Sequence, residues 1–232
     1  MTVILRLFLT AVSLDDDRHM PGLLDRLDDA ERQRAARFIF DRDRRTYAAA
    51  HALLRYALDQ EAGPRPWRFA TEAYGKPRLD PPCDDIRFSL SHTDGLVAVA
   101  LMHGQEVGVD VETASRDPDE AALASLALAP EEVTDLDGFA DRRGRLLRLW
   151  VAKEALAKAI GEGLSLPLQQ IVLRGDPPLV AAMPDGYGVA QAWWLQTERR
   201  GAHWLALAAG CAPNGMVRTD LPVAALAQRA SG

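Results

Sequence analysis

Cysteine is scarce: the 232-residue chain has only Cys83 and Cys211, far apart and without a metal-ligating neighbour. That argues against a disulfide framework or a zinc site and fits a reducing cytoplasm. Positive charge is not in excess either, since 27 Lys and Arg stand against 33 Asp and Glu, for a formal charge of -6 and a pI of about 5.4. No global field therefore draws the chain to nucleic acid or to an anionic membrane, and an anionic ligand needs a local basic patch. No apolar run is long enough to cross a bilayer. The apolar opening Val3 to Val12 holds Arg6 and lacks a basic leader, so it reads as a strand rather than a signal peptide. What remains is the composition of a soluble globular protein, 48% hydrophobic and 26% charged. Its length admits one larger domain or two small ones packed together.

Helical spacing runs over Leu23 to Ala36, Arg45 to Leu58, Asp117 to Leu128 and Pro130 to Phe139. The strongest helix signal is Arg142 to Ile160, with leucines and Trp150 on one broad face and Gly161 and Gly163 as the stop. Strand-like runs are Trp67 to Thr71, Ile86 to Leu90, Leu96 to Met102, Val107 to Glu112, Gln170 to Arg174, Val189 to Thr197 and His203 to Ala209. Ser91-His92-Thr93-Asp94-Gly95 reads as the polar connection of a hairpin. Helix followed by strands occurs twice, which predicts an α+β fold of two halves with similar plan but no sequence identity. The expected divisions are 1–106, 107–212 and a small-residue tail, 213–232, loosely attached and without assigned function.

Chemistry-bearing residues occur in four segments. In Gly108-Val109-Asp110-Val111-Glu112, strand alternation puts both carboxylates on one face, where they suit a hard cation such as Mg²⁺; an ordinary half-exposed strand looks the same. In Trp150 to Lys158, Trp150, Glu154 and Lys158 repeat every four residues on one helix face, a spacing also found in plain surface ion pairs. Ser89-Leu90-Ser91-His92 lies at a strand end, where turn chemistry is the simple reading. Tyr74-Gly75-Lys76-Pro77 is by itself a turn with a lysine.

Together and in this order, these segments resemble the Sfp-type 4'-phosphopantetheinyl transferases, whose signatures are a Gly-x-Asp-x-Glu strand and a Trp-x-x-Lys-Glu-Ala-x-x-Lys helix. The resemblance runs from about Glu31 to Ala208 and is densest between Tyr74 and Leu168, including Gly161-Glu162-Gly163-Leu164-Ser165-Leu166-Pro167-Leu168. It implies a monomeric pseudodimer of two α+β halves, with coenzyme A in the cleft and an apo acyl or peptidyl carrier protein docked beside it. The implied reaction moves the 4'-phosphopantetheine arm onto a carrier serine and releases adenosine 3',5'-bisphosphate.

Residue by residue, the resemblance implies that Asp110, Glu112 and Glu154 hold Mg²⁺. Glu154 is also the candidate base, and Lys158 lies against the pyrophosphate; these two are the implied catalytic residues. Lys76, Ser91 and His92 are similar to the family's coenzyme A contacts. Arg45, with Arg44 as rival, is the expected 3'-phosphate ligand within an arginine-rich stretch that Asp41 and Asp43 can also neutralise. Glu132 resembles a further acidic position, with Glu131 leaving the register open. Two rival readings stand beside this one: a Mg²⁺-dependent phosphate-processing hydrolase, and a carrier-protein binding module without turnover.

Overall fold

The computed structural model describes residues 2–83, 85–115 and 119–228. Strand β1 (Ile4–Ala11) buries Leu5, Leu7 and Leu9 on one face and Phe8 on the other. A 3-10 turn over Leu14–His19 leads to α1 (Met20–Arg26) and α2 (Asp29–Ala35). The single helix expected over Leu23 to Ala36 is thus two. Leu27 turns extended, and Asp28 starts α2 by accepting from the Glu31 amide at 2.8 Å while Glu31 Oε2 accepts from the Asp28 amide at 3.0 Å. That reciprocal capping satisfies two helix-end donors, which outweighs continuing α1. Helix α3 (Asp41–Ala62) extends the predicted helix at both ends.

The middle of the chain runs β2 (Phe69–Thr71), β3 (Pro77–Leu79), β4 (Ile86–Thr93), β5 (Leu96–His103) and β6 (Val107–Thr113). Then come α4 (Glu120–Ala127), α5 (Pro130–Leu136) and α6 (Arg142–Ile160). The start of the predicted helix at Asp117 lies outside the described residues. The chain closes with β7 (Val172–Arg174), β8 (Leu179–Ala182), β9 (Trp194–Arg200), β10 (His203–Ala209), β11 (Gly215–Pro222) and α7 (Val223–Ala227).

The strands form a sheet ordered β11-β1-β5-β4, a second ordered β6-β10-β9, and two small pairs, β2-β3 and β7-β8. The two larger sheets share an apolar core of Leu5, Leu7, Leu9, Met102, Val109 and Leu205, among others. Helix α3 covers the outer face of the first sheet, where Leu53, Leu54 and Ala57 join Phe8, Val97 and Val99. Helix α6 does the same for the second, with Ala152, Ala155 and Ala159 joining Ala206 and Ala208. The fold is α+β, and each long helix packs on its own sheet.

Two expectations change. Ser91 and His92 sit inside β4, paired with Ala98 and Val97 of β5, so the connection shortens to Asp94 and Gly95. The tail is not loosely attached over its described part. Strand β11 runs parallel to β1 from Ile4 opposite Gly215 to Ala11 opposite Pro222, and Val223 and Leu226 are buried in the first core. Without β11, that edge of β1 would present unpaired backbone groups. Arg218 also bridges to Glu198 at 2.6 Å and Arg200 to Asp220, tying β11 to the free edge of β9.

Candidate active site between the two sheets

The edge strands β4 and β6 meet side by side without pairing as one sheet. Serine hydroxyls bridge the gap: Ser89 Oγ accepts from the Val109 amide at 3.1 Å, and Ser91 Oγ accepts from the Val111 amide at 3.3 Å. The Ser-x-Ser spacing puts both hydroxyls on one face of β4, where they satisfy β6 donors that no strand reaches. Ser91 Oγ also donates to Asp110 Oδ1 at 2.8 Å. Lys158 Nζ, reaching down from α6, donates to the same Asp110 oxygen at 2.7 Å and to Ser91 Oγ at 2.8 Å. Asp110 is 6% exposed, and its Oδ2 is buried without a hydrogen-bond partner. A buried carboxylate oxygen lacking a donor is costly unless a cation or donor comes to it.

Helix α6 reaches Asp110 because Gly108 lets the backbones touch. A Cβ on Gly108 would lie 1.9 Å from the Ala155 carbonyl oxygen and 2.5 Å from the Ala159 nitrogen. This is the physical reason for a glycine two residues before the aspartate. Glu112 and Glu154 are both half-buried. Among the described residues, no three His, Cys, Asp or Glu side chains already form a cation-holding cluster.

A crevice of about 210 Å³ opens beside this seam, and Tyr74, Lys76, Pro77, Ser89, Lys158 and Gly161 are among the residues that line it. Lys76 Nζ donates to the Ala159 carbonyl at 2.8 Å and pairs with Glu106, so the turn lysine also caps the C-terminus of α6. Gly161 takes φ +96° there, and a Cβ on it would sit 3.1 Å from Lys76 Cδ.

His92 lies on the opposite face of β4 and borders a second cavity, of about 350 Å³, with Arg42, Asp43 and Thr46 of α3. Its ring keeps an exposed edge, yet the surrounding protein, and then the Lys158 and His51 charges, push the imidazole pKa down. These causes favour the neutral imidazole in the ligand-free protein. Arg45 does not line that cavity: it is 3% exposed and donates to Asp17 Oδ1 at 2.8 Å, while Arg44 pairs with Asp41 on the surface. Arg42, one turn before Thr46 on the same helix face, is the arginine that borders it.

Glu132 is held in a buried bond network away from the crevice. It is 3% exposed and accepts from the Ala129 amide at 2.7 Å, the Leu173 amide at 2.8 Å and Lys153 Nζ at 2.5 Å. Lys153, fully buried, also donates to the carbonyls of Ala127, Leu168 and Ile171 at 2.7 to 3.0 Å. The pair ties α4, α5 and the loop after α6 to the helix and lies outside the crevice. Glu131 bonds Arg174 at the surface. The signature lysine beside Glu154 is thus structural, and nothing in its sequence spacing distinguishes it from a surface lysine.

The family model described as the 4'-phosphopantetheinyl transferase superfamily matches residues 106–207. The 4'-phosphopantetheinyl transferase HetI of Nostoc sp. is 30% identical over 194 residues, which covers 81% of this chain and 80% of the relative. The 4'-phosphopantetheinyl transferase Sfp of Bacillus subtilis is 31% identical over 124 residues, 52% of this chain and 54% of the relative. Among solved structures, holo-[acyl-carrier-protein] synthase of Neisseria meningitidis matches with a TM-score of 0.38 and 22% identity, covering 45% of this chain and 95% of that one. With the Asp-x-Glu strand and the signature helix packed together as described, and a relative at this identity over most of both lengths, the chain belongs to the 4'-phosphopantetheinyl transferase superfamily and is a transferase.

Proposed function

We propose that this chain moves the 4'-phosphopantetheine arm of coenzyme A to a serine of an apo acyl or peptidyl carrier protein and releases adenosine 3',5'-bisphosphate. The observation that carries the reading is the Ser91–Asp110–Lys158 cluster at the crevice, with one Asp110 oxygen buried and lacking a donor. That oxygen fits a divalent ion. Asp110 would anchor Mg²⁺, with Glu112 two residues further along β6 and Glu154 one turn before Lys158 completing the set. When bound, the ion neutralises charge on the pyrophosphate and its leaving group.

The protein's own groups would act as follows. Lys158 and Lys76 set fixed positive charge along the crevice for the pyrophosphate, and Ser91 offers its hydroxyl as a hydrogen-bond partner. His92 and Arg42 border the neighbouring cavity, which suits a further phosphate group. Glu154 would accept the proton of the carrier serine as its oxygen bonds to the β-phosphorus. The bond from that phosphorus to the bridging oxygen breaks, and the departing adenosine 3',5'-bisphosphate keeps the electron pair. Such transfer depends mainly on positioning and charge. In this reading the chain divides into an N-terminal half, 1–106, and a half, 107–212, that carries the metal ligands, with the donor between them.

The test is mass spectrometry of apo carrier proteins after incubation with coenzyme A, with and without Mg²⁺. Asp110→Ala and Glu154→Ala should each lower transfer about 10²-fold or more while the fold remains, the size expected when a preorganised charge is removed. Wild-type transfer in either variant would refute that residue's assignment. Release of adenosine 3',5'-bisphosphate from coenzyme A without carrier labelling would instead indicate a hydrolase.

A further inference from the structure

The loop that borders the crevice after α6 is held at its start by the Gly161 amide, which donates to the Ala157 carbonyl at 2.8 Å, and further on by the Leu166 amide, which donates to the Gly163 carbonyl at 3.2 Å. Gly161 and Gly163 both take positive φ, +96° and +53°, and both line the crevice. Glycine permits a wide range of φ and ψ on either side of Glu162, so bonds made by the Glu162 side chain help set where the loop lies. Between them stands Glu162, whose side chain reaches away from the crevice and accepts from the Tyr187 hydroxyl at 2.7 Å. Tyr187 is itself anchored: its carbonyl accepts from Trp193 Nε1 at 2.9 Å, and its ring packs against the core between α6 and the second sheet. The carboxylate pushes the phenol's pKa up, which keeps it a hydrogen-bond donor at neutral pH.

We propose that Glu162 and Tyr187 are positioning residues that set the width of the crevice and so tune the binding of coenzyme A. This rests on the reading of coenzyme A as the donor. Neither side chain lines the crevice, and both act through the Gly161 and Gly163 backbone. Lys76 meets the start of this loop, pinned to the Ala159 carbonyl and to Glu106, with its Cδ 3.1 Å from where a Gly161 Cβ would lie. The bond from Tyr187 adds a side-chain tether at Glu162, between the two glycines. The part of the donor governed by this wall is uncharged, since Tyr74, Pro77, Phe88 and Leu90 form most of the crevice beyond its lysines.

Steady-state transfer at varied coenzyme A, for Tyr187→Phe, Glu162→Ala and Glu162→Gln, tests the strut. The first two should raise KM for coenzyme A about three- to tenfold with kcat within about twofold, the size of one lost charge-assisted bond partly replaced by water. Glu162→Gln should stay near wild type, because its amide oxygen still accepts the phenolic proton. Amide hydrogen exchange at 161–163 should quicken in Tyr187→Phe and not in Glu162→Gln, which reports the wall directly. Unchanged KM and exchange in Tyr187→Phe and Glu162→Ala, in a wild-type background that transfers, would overturn the strut alone. A wild-type chain that transfers nothing from coenzyme A would remove the donor reading and the strut together.

Discussion

Replacing Lys153 with methionine keeps most of the stem and deletes the ammonium. The loss is large because nothing else can serve the groups it touches. Glu132 stays buried with two backbone donors but no countercharge, and the carbonyls of Ala127, Leu168 and Ile171 lose a shared donor. Burial pushes the Lys153 pKa down while the Glu132 charge opposes the shift, so an ammonium this deep depends on its partner. Breaking one side of such a pair costs about 3–5 kcal/mol, against a total stability of about 5–15 kcal/mol for a domain. Lys153→Met should therefore move the urea midpoint far down or leave the second half partly unfolded. The double variant Lys153→Met with Glu132→Gln should recover at least about 1 kcal/mol, since the unpaired carboxylate is gone and the amide oxygen still meets one of the two backbone donors. The measurement is a double-mutant cycle by urea denaturation. A single variant within about 1 kcal/mol of wild type, or a cycle with no coupling, would refute the account of Lys153 as a buried tie.

Gly108→Ala should destabilise by about 3 kcal/mol and lower transfer as well, because its Cβ would meet α6 backbone that can yield only by lifting Lys158 from Asp110; wild-type melting and transfer would contradict the close approach. Burial alone would raise the Glu31 carboxyl, but the His51 hydrogen bond and the Arg55 charge outweigh it and hold the group at about 2, below its ordinary 4.5. Its contribution is present above that ordinary value and is lost as pH falls toward the folded one, so Glu31→Gln should remove about 2 kcal/mol of the difference between urea stabilities near pH 7 and near pH 3. An unchanged difference would contradict it. Arg42→Ala should raise KM for coenzyme A about tenfold without loss of stability, whereas Arg45→Ala should cost stability through the freed Asp17 and the space left behind; the reverse pattern, by kinetics and melting, would restore Arg45 as the phosphate ligand.

What local rules govern was legible in the residues themselves. Alternation along Val107 to Glu112, the long run ending in Gly161, and the order of the four motifs depend on neighbours within a turn or a strand, so spacing alone carries them. The roles of individual polar side chains were not legible, because each is settled by a partner far along the chain. Lys153 and Glu154 are adjacent, yet one is fully buried and locked to Glu132 and three carbonyls while the other stays half-buried, and only the packing of α6 separates them. Arg45 and Arg42 differ by the helix face that α3 turns toward Asp17 or toward His92. Strand β11 was invisible because most of its residues stay partly solvated on both faces, leaving no apolar alternation to read. Its place comes from the open backbone edge of β1, more than 200 residues away, which a strand of almost any side chains can satisfy.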